Sequence, residues 1–267
     1  MTELPTTLRQ AVREEFRIAF HYPYTVLQVI LMNAVLVTVL WYLAPPKVES
    51  LVFNVHSPAL FTIVLAGWMY SDVPATNVLA SDTKRALPAL DDRRMTLRLM
   101  QAKRIALWVL VAPVCTLFTF LLGLHFHHWF TEVVAISSIA ILPFGTLAIA
   151  GWVGIIWPYH PRSLRYRWRH RRDWMHDLAR WGTLIVLPYG LVPVIGFVLL
   201  APSLLVWNVK SESQILQMST VPHFLLGVGL VIGMTIGGTV LGDRVSWRLI
   251  ERRRAALTHY LEHPELG

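Results

Sequence analysis

Positive charge is sorted along this chain with almost no exceptions. Six apolar runs, residues 22–43, 51–70, 105–124, 133–158, 181–205 and 223–242, contain no Asp, Glu, Lys or Arg. Each is about 20 residues or longer, enough for a helix to cross a hydrocarbon core about 30 Å thick. The basic residues lie between the runs and alternate 3, 1, 7, 0, 7, 1 and 5 from the N-terminus, so 22 of the 24 fall on one side. Lys and Arg beside membrane spans stay in the cytoplasm. The pattern therefore predicts an all-α membrane protein of six transmembrane helices with both termini cytoplasmic. A net charge of +8 would suit nucleic acid, but the surplus sits in short loops beside spans, where anionic lipid is the expected partner. No nucleic-acid partner is expected.

The segments between runs carry their own patterns. Residues 1–21 read as an amphipathic helix in the membrane interface. Thr7 to Gln10 has capping-box form, and Leu8, Val12, Phe16 and Ala19 recur at helical spacing away from Arg9, Arg13 and Arg17. A frayed leader into the first span is the alternative. Residues 71–104 hold seven basic residues with Asp72, Asp82, Asp91 and Asp92, and enough apolar residues for short helices broken at Pro88. This segment is read either as a docking element or as a solvated connector. In the loop 159–180, Arg165, Arg167, Arg169 and Arg171 interleave with Trp168 and neighbouring aromatics, which suits lipid headgroup contact. The loops 44–50, 125–132 and 206–222 are expected outside, and the tail 243–267 inside.

Within the spans, Pro143 with Gly145 predicts a kink in the fourth, and Pro188, Pro193 and Pro202 a bent or broken fifth. Gly229, Gly233 and Gly237 fall four apart in the sixth, where small residues let helices approach closely, within one subunit or between two. Asn33 in the first span must find a hydrogen-bond partner. His56, His125, His127, His128 and His223 gather near the outer face, a weak pattern for metal binding or pH sensing without a carboxylate partner. The lone Cys115 permits no disulfide within the chain and no cysteine metal motif.

No phosphate-cradling G-x-x-x-x-G-K-[ST], no H-E-x-x-H and no G-x-S-x-G is present. No acid lies inside an expected span, so no proton relay is foreseen. Energy for any uphill movement would have to arrive from outside the chain, through a cytoplasmic loop. The segment Asn77-Val78-Leu79-Ala80-Ser81-Asp82-Thr83-Lys84-Arg85-Ala86-Leu87 and the run Arg98-Leu99-Met100-Gln101-Ala102-Lys103 entering the third span resemble the permeases of type-2 ATP-binding-cassette (ABC) exporters. So does Ser57-Pro58-Ala59-Leu60 at the second span. The Gly-Thr that often follows the basic pair in that family is absent.

The resemblance implies a single permease domain, 1–267, with an interfacial N-terminal helix and a loop between spans two and three that docks on an ATPase. Its coupling residues would be Asp82, Lys84, Arg85 and Leu87. It implies a second permease chain, identical or related, and a separate ABC ATPase subunit carrying ATP and Mg²⁺. This chain itself would hold no cofactor, no metal and no catalytic residue. The setting would be a bacterial inner (plasma) membrane, and the cargo a drug-like or lipid-like amphiphile. Two other readings remain open: an enzyme acting on lipid or polyprenyl phosphates, with Asp173 or Asp177 holding Mg²⁺, and a membrane assembly or immunity protein without transport.

Overall fold

The structure is a computed structural model that describes residues 5–22, 24–43, 58–71, 77–126, 129–160, 174–207 and 221–263. Among these residues it is all-helical. Five helical stretches are long and apolar enough to cross a membrane: Val26–Leu43, Arg93–His125, Glu132–Ile156, Leu187–Val206 and Pro222–Glu262. A shorter apolar helix, Phe61–Tyr70, lies in the expected second span, whose first residues are outside the described set. Five helices of this length and apolarity are compatible with a multi-pass membrane protein.

Helix α1 (Leu8–Ala19) is capped by Thr7, whose side chain accepts from the Gln10 amide at 3.2 Å. Gln10 reaches back to the Thr6 amide, also at 3.2 Å, one residue before the expected Thr7. Ala11 and Ala19 are buried, and their small size lets α1 lie close against the helix that becomes the third span. Tyr24, at φ 56°, turns the chain between α1 and α2 (Thr25–Leu43). A left-handed backbone is costly for a bulky residue, so this turn is held by its surroundings.

After α3 (Pro58–Tyr70) come a 3-10 turn, Ala80–Asp82, and the short helix α4 (Thr83–Ala89). Helix α5 (Arg93–Phe126) then runs without a break through the second half of the loop and the third span, 34 residues or about 51 Å. The fourth span is divided into α6 (Trp129–Ala140), α7 (Leu142–Ala150) and α8 (Val153–Ile156). The division falls at Ile141, with Pro143 in the first turn of α7, where its missing N–H costs nothing. Helix α9 (Trp174–Val206) keeps Pro188, Pro193 and Pro202 within one element, so the fifth span is not broken. Helix α10 (Val221–Glu262) joins the sixth span to the expected tail as one helix of 42 residues, about 63 Å.

The post of the bundle is α7. Gly145, Thr146, Leu147, Ala148 and Ala150 on it are all buried. It crosses α10 where a Cβ on Gly238 would make an ordinary contact, 3.4 Å from the Gly145 Cα, and where a Cβ on Gly242 would stand 2.4 Å from the Ala148 carbonyl carbon. Only glycine permits that crossing. In contrast, a Cβ on Gly229, Gly233 or Gly237 would meet nothing within 4 Å among the described residues. The close approach within this chain thus belongs to Gly238 and Gly242, on another face of α10 from the expected stripe.

Candidate functional site

The segment 77–104 folds onto α1 and the end of α10. Asp82 caps α4, its side chain accepting from the Arg85 amide at 3.3 Å. Arg85 follows one turn later and is 6% exposed. Its Nη1 donates to Glu14 at 3.2 Å and its Nη2 to Glu15 at 2.6 Å, while Nε pairs with Asp82. Burial works against the Arg85 charge, but Glu15 and Asp82 more than offset it and hold the guanidinium above its ordinary range. Glu15 stands between Ala11 and Ala19 on the buried face of α1. That explains an acid in the middle of an apolar stripe. Lys103 of α5 donates to Ser81 in the same cluster, and Arg98 donates to the Pro5 carbonyl at 3.1 Å.

A second ion pair stands where α5 meets α10. Arg104, 6% exposed, donates to Asp243 at 2.5 Å, and Gln101 donates to the other Asp243 oxygen at 3.1 Å. Each partner is one residue beyond an apolar run, so the pair ties two helices at the edge of the apolar layer. Asn77 donates to the Tyr159 carbonyl at 2.6 Å and accepts from the Tyr159 amide at 3.4 Å, imitating a backbone pair. Arg253 donates to the carbonyls of Ile155 and Ile156, capping α8. His160 Nε2 donates to the Tyr260 carbonyl at 2.9 Å and the two rings stack.

Beneath these polar ties lies an apolar core of its own, in which Leu79, Leu90 and Met100 meet Trp247, Ile250, Leu257 and Leu261. The stretch beyond the sixth span is therefore not a free tail. It is the arm of α10 that clamps the loop.

The expected coupling residues separate by environment. Asp82 and Arg85 are brought together, but they are spent on α1. Leu87 is half-buried against the loop core. Lys84 alone is exposed and available to a partner. Arg165, Arg167, Trp168, Arg169 and Arg171 lie outside the described residues, as do His56, His127 and His128. No group of three or more His, Cys, Asp or Glu able to hold a metal occurs among the described residues. Asn33, 1% exposed, accepts from the Tyr189 hydroxyl at 2.8 Å, so a span-to-span hydrogen bond answers its polarity.

No protein-family model, no curated protein and no solved structure matches this chain. The reading of the site therefore rests on the residues themselves.

One acid stands apart from these ion pairs. Helix α6 begins at Trp129, so the loop 125–132 is cut short and Glu132 enters the helical span. Glu132 is 2% exposed, and its Oε2 has no hydrogen-bond partner among the described residues. The run 133–158 itself stays free of charge, and Glu132 stands at its edge. The signal was in the sequence: Glu132 is the sole acid between Asp92 and Asp173, directly abutting an apolar run.

Proposed function

We propose that this chain is the permease subunit of an ABC export complex, crossing the membrane six times with both termini in the cytoplasm and drawing its energy from a separate ATPase subunit. The single observation that carries the reading is the platform made by α4, the lower half of α5 and the arm of α10. A solvated connector needs no core and no buried ion pairs. This platform has both, and it grips α1 on one side. Two of its helices continue without a break into the apolar bundle, so a push on the platform reaches the spans as a rigid-body movement. Exposed Lys84 marks the surface where an acidic patch of an ATPase would dock. The cargo is an amphiphile that enters from the bilayer.

The test is purification of the tagged chain from its native membrane, followed by assay for an ATPase that the chain stimulates. A P-loop ATPase should co-purify in stoichiometric amount. Lys84→Glu should weaken the association at least tenfold while membrane insertion and thermal stability are kept. A chain that purifies without any ATPase, or a Lys84→Glu complex with normal stimulated hydrolysis, contradicts the reading.

A further inference from the structure

Helices α5 and α6 pack as an antiparallel pair, and a groove of about 470 Å³ runs between them. Its wall is apolar, made by Pro113, Leu117 and Phe120 of α5 and Ile136 of α6, with Thr116 as a lone hydroxyl. Trp108 closes one end by donating to the Ala140 carbonyl at 2.8 Å. From Trp108 to Phe120 the groove follows α5 for about 18 Å. It is therefore long and narrow, the shape of an extended hydrocarbon chain, and it lies across the exposed face of the bundle.

Glu132 does not line the groove but stands close by, one turn before its lining residue Ile136 on α6. On α5, Gly123 follows Phe120 by three residues. A Cβ on Gly123 would fall 2.7 Å from the Glu132 Cγ, so the missing side chain is what makes room for the acid in the seam. The seam is built around a carboxyl group that is buried and has no partner for Oε2. An unpaired carboxylate in an apolar setting is costly. A cation arriving at the end of the groove would remove that cost.

We infer that the α5–α6 groove binds a single-chain cationic amphiphile, its hydrocarbon tail along Phe120, Thr116 and Pro113 toward Trp108 and its ammonium head on Glu132. As a transport substrate this ligand rests on the export reading; as a bound ligand it does not, and binding is measured with no ATPase present.

The experiment uses the full chain in nanodiscs of zwitterionic lipid and dodecyltrimethylammonium carrying a diazirine at the tail end. After irradiation, mass spectrometry locates the adducts. Labelling is expected within 108–117, competed by unlabelled dodecyltrimethylammonium and not by laurate, which has a similar tail and a negative head. Glu132→Gln should lower the apparent affinity at least tenfold with unchanged thermal stability, and Glu132→Asp should recover most of it. Should Glu132→Gln fail to fold, Thr116→Trp decides, because it fills the groove and leaves the acid in place; labelling at 108–117 should vanish. Equal competition by laurate, unchanged labelling of a folded Glu132→Gln, or adducts spread over lipid-facing helices would each overturn the site.

Discussion

The two ends of the bundle treat their acids in opposite ways. At the end that carries the termini, Glu14, Glu15, Asp82 and Asp243 each have an Arg partner, Arg85 or Arg104, that is itself almost fully enclosed. At the far end, Glu132 is more deeply buried than any of these acids and its Oε2 has no partner among the described residues. The first arrangement fixes geometry: removal of one member strands the others. The second keeps an interaction open. Paired charge here reads as construction and unpaired charge as a binding group.

Removal of the central cation should give the largest effect. Arg85→Met leaves three carboxylates facing one another around an apolar stem. The expected loss is about 3 kcal/mol or more, read as a large drop in the thermal midpoint in nanodiscs, with α1 released to proteolysis. If the variant unfolds at the wild-type temperature, the cluster is not structural and the contrast between the two ends fails.

The next effect tests the two glycine faces of α10. Gly242→Ala places a methyl group against backbone atoms of Ala148 and Ile149, which cannot retreat as a side-chain tip does. It should cost about 1–3 kcal/mol. Gly233→Ala should cost nothing within one chain, because a Cβ there meets no atom of the described residues within 4 Å. Equal destabilisation by both would mean that the stripe Gly229, Gly233, Gly237 is covered, as an interface between two permease chains would cover it.

Glu132→Gln sharpens the comparison from the other side. The amide matches the shape and removes the charge, so stability should change by no more than about 1 kcal/mol, in contrast to Arg85→Met, while cation binding is lost. Lys84→Glu is smaller still. It lies on the exposed surface of α4 and should alter stability by less than about 0.5 kcal/mol, its effect showing only in partner association.

How far the sequence could be read follows from which forces act locally. The apolar runs and charge alternation made the helical membrane class legible, because hydrocarbon burial and backbone satisfaction act on each segment separately. The boundaries were less legible. Nothing in the charge-free window 105–124 tells that α5 begins at Arg93, since a helix leaves the bilayer without changing its hydrogen-bond pattern. The same holds for α10, whose arm has the sequence of a tail because the residues that clamp it, Leu79 and Leu90, are remote in sequence. The loop residues Asp82 and Arg85 were singled out, but their partners Glu14 and Glu15 lie some 70 residues away, and ion pairing at that separation leaves no local trace. Glu132 borders the charge-free window 133–158, and nothing in that local pattern tells that its side chain is buried. The glycine stripe was chosen by spacing, while packing is decided by which face meets α7.

The most direct test of the central claim is transport by sealed vesicles containing the purified chain. Incorporated alone, it should neither hydrolyse ATP nor accumulate dodecyltrimethylammonium when a pH gradient is imposed, because a lone carboxyl at one end of the bundle cannot relay protons across about 30 Å. Incorporated with its ATPase, it should move the cation when ATP is supplied. Sustained proton-driven accumulation by vesicles holding only this chain would contradict the account.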